Sequence, residues 1–123
     1  MIKLLHVEDD PDILEIALLS LEISSEFDVL QCDNGPEALD KAVAFGPDVL
    51  LLDVMMPGMS GIQLLDALRK FPELSQTPAI FMTARAQASE RREMMLNGAV
   101  GVIVKPFDPM SLADEIKTIL SRS

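Results

Sequence analysis

The chain has 123 residues, 49% of them hydrophobic, which suits one domain with one substantial core. A net charge of −10 argues against a general nucleic-acid or anionic-membrane binder, because both need a basic surface. The single cysteine, Cys32, excludes an intrachain disulfide and is compatible with a reducing compartment. The charge is uneven: residues 1–60 hold 13 acids and 2 bases (net −11), and residues 61–123 hold 7 acids and 8 bases (net +1). Acidity concentrated in one half can mark a cation site. The N-terminus "MIKLLHVEDD" lacks the apolar stretch of a signal peptide, and no segment approaches a membrane span. A soluble, cytoplasmic protein is expected.

Short apolar runs alternate with longer amphipathic ones. Ile2 to Val7 reads as the first strand, and a helix near 12–24 follows the acidic run Glu8-Asp9-Asp10-Pro11-Asp12. Ile13, Leu14, Ala17, Leu18 and Leu21 share one face of that helix, which should pack on the sheet. Ile16, Leu19 and Ile23 fall on a second face, set off by Glu15 and Glu22, and form a candidate exposed patch. Phe27 to Cys32 is the second strand. Asp33-Asn34-Gly35-Pro36 opens a helix near 36–45, with Pro36 in the first turn. Val49 to Asp53 is the third strand, followed by a helix near 60–70. Gly58 and Gly61 read as backbone devices in the turn between them. Ala79 to Thr83 and Val100 to Val104 are the fourth and fifth strands, with helices near 87–96 and 109–121 after them. Asn97-Gly98 ends the fourth helix, since glycine accepts the left-handed cap.

Alternating strands and helices imply right-handed βαβ units and a parallel sheet covered on both faces. Runs such as "VLLL" and "VGVIV" fit strands buried on both sides. The expected class is a doubly wound α/β fold, whose ligands sit outside the carboxyl ends of the strands. The polar residues at those ends are Glu8, Asp9 and Asp10 after strand one, Asp53 at the end of strand three, Thr83 after "IFM", and Lys105-Pro106 after strand five. Converging carboxylates at Glu8, Asp9 and Asp53 repel one another, and a hard divalent cation relieves the repulsion. His6, the only histidine, lies mid-strand and is expected to pack rather than ligate. A hydroxyl at Thr83 and an ammonium at Lys105 suit a phosphoryl group, and Asp53 could serve as its nucleophile.

Four pieces carry a resemblance along essentially the whole chain: "LLHVEDD", "DVLLLDVMMPGMSG", "IFMTA" and "VIVKPF". In that order and spacing, the sequence resembles the receiver domain of two-component response regulators. The resemblance implies one receiver domain over residues 1–123, with a five-stranded flavodoxin-like sheet of order 2-1-3-4-5. It implies that Asp53 accepts a phosphoryl group from a histidine kinase or phosphotransfer protein. It implies Mg²⁺ (or Mn²⁺) held by Asp9, Asp53 and the backbone carbonyl of Met55, with Glu8 acting through water. Thr83 and Lys105 are then the phosphoryl-binding and switch residues, and the bond before Pro106 is cis. Met55 and Arg85 take positions that tune phosphoryl hydrolysis in such domains, and the Ile16, Leu19 and Ile23 face takes the place where the phosphodonor docks. The expected protein is no enzyme beyond assisting its own phosphorylation and dephosphorylation. It is expected to act as a monomer or a phosphorylation-dependent dimer, switching the binding of a protein partner.

The sequence departs from the pattern at Val102, where many receivers carry an aromatic switch residue. Phe107 follows Pro106 and is expected to pack. Three alternatives compete. A Mg²⁺-dependent aspartyl phosphohydrolase would place a second acid where Met55 stands. A flavin module would need a phosphate-cradling loop where this chain has the acidic "VEDDPD". A constitutive protein-binding pseudo-receiver would not need the complete acid, threonine and lysine set.

Overall fold

The computed structural model describes residues 1–84 and 87–122. The five apolar runs form strands β1 (Ile2–Val7), β2 (Phe27–Cys32), β3 (Val49–Asp53), β4 (Ala79–Thr83) and β5 (Gly101–Val104). Between and after them lie helices α1 (Pro11–Ser24), α2 (Gly35–Phe45), α3 (Gly61–Leu68), α4 (Ala88–Leu96) and α5 (Leu112–Arg122). All the strands pair in parallel, in the order β2-β1-β3-β4-β5. This is the doubly wound sheet that the alternating pattern predicts, in the flavodoxin-like strand order that the resemblance implies.

The strands read as continuous apolar runs because both faces are covered. Leu5, Val7, Leu50, Leu52 and Phe81 point to one side, against Ala38 and Ala42 of α2, Leu64, Leu65 and Leu68 of α3, and Met94 of α4. Leu4, Val49, Leu51, Ile80, Met82 and Ile103 alternate to the other side, against Ala17 and Leu21 of α1 and Ile116 and Ile119 of α5. Burying each such leucine contributes roughly 1.5–3 kcal/mol relative to leaving it exposed. Every residue of β3 is buried, Asp53 included. Among the described residues, no helix is long and apolar enough to cross a membrane.

Helix ends follow their caps. Asp10 caps α1, its carboxylate accepting from the Asp12 N–H at 2.9 Å. Asn34 caps α2 in the same way through the Glu37 N–H at 2.8 Å. Three predicted helices prove shorter, the fourth only by its first residue. Ser60 is the cap of α3 rather than its first residue, forming a reciprocal capping box with Gln63. After Leu68 the chain tightens into i→i+3 bonds (Lys70 N–H to Ala67, Phe71 N–H to Leu68) and then a short 3-10 turn at Pro72–Leu74. The fifth helix starts at Leu112 rather than 109, because Asp108 folds the preceding residues into a turn. Its carboxylate accepts from the Met110 N–H at 2.9 Å and its carbonyl from the Ser111 N–H at 3.0 Å.

Gly98 takes φ +102 at the end of α4, as expected. The first helix ends instead on Ser25, at φ 60 and ψ 16. A residue with a Cβ is strained there. Ser25→Gly should raise stability by roughly 0.5 kcal/mol, the relief of strain outweighing the looser unfolded chain. A higher urea midpoint at unchanged slope would show it.

Candidate functional site

The sheet order brings the predicted polar residues to one rim. Val7 lies opposite Leu52 in the β1–β3 ladder, so the next residues, Glu8 and Asp53, end neighbouring strands. The Glu8 N–H also bonds the Cys32 carbonyl at 3.1 Å, anchoring its backbone to β2. Thr83 ends β4 beside Val104, and the Lys105 N–H donates to the Thr83 carbonyl at 2.8 Å. Glu8 is 1% exposed, Asp53 3% and Thr83 1%, whereas Asp9 faces solvent. One carboxylate oxygen each from Glu8, Asp9 and Asp53 lie within 4.8 Å of one another.

Lys105 crosses the end of β4 to reach both buried acids. Its Nζ lies 2.8 Å from Asp53 Oδ1 and 2.7 Å from Glu8 Oε1. The other Glu8 oxygen accepts from the Asp10 N–H at 3.3 Å. Burial nonetheless dominates Glu8: desolvation, aided by repulsion from Asp53, pushes its pKa up to about 7 against the pull of Lys105. Burial alone would lower the Lys105 pKa, but the hydrogen bonds and charges of Asp53 and Glu8 together carry it above its ordinary value. The ammonium is therefore held charged at the rim.

The loop after Asp53 is shaped by two glycines. Gly58 takes φ +82, a conformation that side chains rarely adopt. Gly61 is required for a different reason. A Cβ there would sit 2.3 Å from the carbonyl oxygen of Asp53. The Gly61 N–H also donates to the Val54 carbonyl at 3.0 Å, and the Val54 N–H to Met82 at 3.0 Å. The start of α3 thus rests directly on the backbone of Asp53. Met55 projects from this loop and is 61% exposed.

Other expectations fall into place around the rim. The Lys105–Pro106 peptide bond is cis. His6 is fully buried; burial and the nearby Lys105 charge push its pKa down to about 4, so it is neutral. Its Nδ1 accepts from Gln31 Nε2 at 3.2 Å, and the same nitrogen donates to the Leu14 carbonyl at 2.7 Å. It is a packed residue, apart from the acid cluster. Phe107 packs against the α1/α5 side of the core. Ile16, Leu19 and Ile23 are exposed on α1, as the second face predicts. Beside them a cavity of about 290 Å³ is lined by Ile13, Ile16, Lys105, Pro106, Phe107 and Pro109, among others. Val102 is half-buried in β5. Arg85 lies outside the described residues.

Two features escape the sequence reading. Lys105 pairs with Glu8 as well as with Asp53, which only the side chain's reach across β4 reveals. Ser20 is buried on α1 and donates its hydroxyl to the Pro109 carbonyl, joining the first helix to the loop after β5. A lone serine between Ala17 and Leu21 on the apolar face was the available signal.

The sequence matches the response regulator receiver domain family over residues 4–117. The chain belongs to that family. This receiver domain is 37% identical over 120 residues to a probable transcriptional regulator, ycf29, of Pyropia yezoensis, covering 98% of the chain and 54% of the relative. It is 37% identical over 121 residues to the phosphate regulon transcriptional regulatory protein PhoB of Rhizobium meliloti (strain 1021), covering 98% of the chain and 53% of the relative. The chain thus spans about half the length of these curated relatives. The chemotaxis response regulator CheY4 of Vibrio cholerae superposes with a TM-score of 0.89 at 31% identity, covering 97% of this chain and 98% of that one. A response regulator from Desulfuromonas acetoxidans gives 0.87 at 29% identity, covering 99% and 98%.

Proposed function

We propose that this receiver domain is a phosphoacceptor: Asp53 takes a phosphoryl group from a histidine kinase or phosphotransfer protein. The observation that carries this reading is the Asp53 carboxylate at the strand rim, paired with Lys105 at 2.8 Å and grouped with Glu8 and Asp9. An Asp53 oxygen attacks the donor phosphorus, the bond to the donor's imidazole breaks, and an acyl phosphate remains on the aspartate. Such transfer needs positioning and charge neutralisation more than covalent help. Lys105 balances the new phosphoryl charge, and the Thr83 hydroxyl donates to a phosphoryl oxygen.

The donor set fits a hard cation. All the candidate ligand atoms are oxygens, and burial makes Glu8 a reluctant anion without added positive charge. Mg²⁺ or Mn²⁺ would be held by Asp9, Asp53 and the Met55 carbonyl, with Glu8 acting through water. When bound it supplies charge neutralisation for the incoming phosphoryl group.

The chain is no enzyme in its own right; it assists only its own phosphorylation and dephosphorylation. Ile16, Leu19 and Ile23 offer the phosphodonor an apolar docking face, and Met55 and Arg85 tune how long the phosphate lasts. Phosphorylation shifts a two-state population, and a partner protein that distinguishes the states reads it, whether the domain acts as a monomer or a phosphorylation-dependent dimer. With Val102 in place of an aromatic, the outer face reports the change without a rotating ring. A cytoplasmic location follows from the kinase partnership.

The test is an intact mass after incubation with Mg²⁺ and a small acyl phosphate. One added phosphoryl group is expected, absent with EDTA and absent in Asp53→Asn. A protein that neither gains phosphate nor binds Mg²⁺ would instead be a constitutive binding module.

A further inference from the structure

Five of the chain's eight methionines fall in two short stretches, residues 55–59 and 94–95. The fold brings the two stretches together beside the acidic rim. Met55 and Met94 line one cavity of about 190 Å³, which Thr83 also lines. Their exposures differ sharply. Met94 is 4% exposed and held in the core, whereas Met55 is 61% exposed. Met56 and Met59 are half-buried against the α2/α3 side of the core, and the Met59 thioether lies against Gly35. Met55 also lines a second cavity on the outer side of the loop, with Val54, Met56, Pro57 and Ser60. Met55 is therefore the methionine that solvent reaches and that also borders the Thr83 side of the site.

We propose that Met55 is a reversible oxidation site through which hydroperoxides set the lifetime of a phosphoryl group on Asp53. The inference rests on the phosphoacceptor reading and adds a regulator to the same site. The thioether sulfur attacks the terminal oxygen of the peroxide. A sulfur–oxygen bond forms, the oxygen–oxygen bond breaks, and the departing alkoxide (hydroxide, for hydrogen peroxide) takes the proton from the transferred oxygen, leaving as alcohol (or water) with the sulfoxide behind. Sulfur is oxidised by two electrons and the peroxide is reduced by two. The product sulfoxide is polar and chiral, and it is reversed by methionine sulfoxide reductases.

The consequence follows from what the side chain does before and after. As a thioether, Met55 is a flexible apolar cover at the mouth of the Thr83 cavity. As a sulfoxide, it brings a strong acceptor oxygen into that cavity, where it recruits water and competes for the hydroxyl that holds the phosphoryl group. Both changes favour hydrolysis. The fold itself should be indifferent, because the side chain is mostly in solvent.

The experiment uses the phosphorylated full chain. Brief hydrogen peroxide treatment is followed by peptide mass mapping and by timing the loss of phosphate, for the native protein and for Met55→Leu, which keeps the volume but cannot be oxidised. The expected result is early oxygen uptake at Met55, a several-fold shorter phosphoryl half-life in the native protein only, and recovery after methionine sulfoxide reductase. An unchanged half-life with Met55 oxidised would overturn the inference. So would an equal peroxide response in Met55→Leu. If untreated protein takes no phosphate from any donor, the phosphoacceptor reading falls first and the inference with it.

Discussion

Gly61→Ala is expected to destabilise the domain and to slow phosphoryl uptake on Asp53 at the same time. The new methyl would stand 2.3 Å from the Asp53 carbonyl oxygen and 2.9 Å from its carbonyl carbon. Both are backbone atoms of a fully buried strand, so neither can turn aside as a side-chain tip could. Relief requires moving the start of α3 or the end of β3. Over-packing of this kind costs about 1–3 kcal/mol, and a rigid obstacle places it toward the upper end. Movement of α3 would lengthen the Gly61 N–H bond to Val54, now 3.0 Å, and movement of β3 would shift the carboxylate itself. Urea unfolding measures the first effect, and the rate of mass gain with an acyl phosphate under folding conditions measures the second. Gly58→Ala is the companion control. Its strain is torsional and its surroundings are open, so it should cost stability with less effect on uptake.

Lys105→Met should cost more, and the loss should depend on pH. Removing the ammonium leaves Glu8 and Asp53 buried side by side without a counter-charge. Breaking a buried pair by deleting one partner costs roughly 3–5 kcal/mol. The sign of the pH effect follows from Glu8. Its pKa is about 7 in the fold against an ordinary 4.5, so the folded state holds the proton more tightly than the unfolded chain. Between those values the native protein already loses stability as pH rises, because the unfolded chain ionises first. Without Lys105 the folded-state pKa rises further, and the decline extends to higher pH. The loss should therefore be smaller at pH 5, where Glu8 is protonated with or without Lys105 and only the Asp53 partnership is missing, than at pH 8, where both are. A loss equal at both pH values would mean that Lys105 acts through its methylene stem rather than its charge. Adding Mg²⁺ at pH 8 should return part of the loss through the neutralisation that the proposed metal site would supply.

Much of this was legible in the sequence, for identifiable reasons. Parallel strands covered on both faces leave continuous apolar runs, so β1 to β4 were bounded to the residue and β5 to within one. A carboxylate such as Asp53 stands out at the end of "VLLL" because nothing in a core explains it. Helix ends were less legible. The turn that delays α5 depends on what the Asp108 side chain chooses to bond, and the early end of α3 depends on Pro72 forcing a tighter turn ahead of it. The reach of Lys105 to Glu8 was not legible, because it depends on strand order, on register and on a long side chain crossing β4. The buried tie from Ser20 to Pro109 needed both partners' positions, 89 residues apart.

The distribution of the rim along the chain also constrains how the protein is made. Glu8, Asp9 and Asp53 are all synthesised within the first half, at the carboxyl ends of strands β1 and β3, which pair near the centre of the sheet. The ammonium that compensates them belongs to residue 105, just after the last strand to be added at the far edge. A nascent chain that has paired β1 with β3 therefore holds its acids together with no internal counter-charge. That repulsion opposes early closure of the amino-terminal half and is relieved when β5 docks. A ribosome-bound chain stopped short of Lys105 should therefore be loose around the acidic rim until β5 docks.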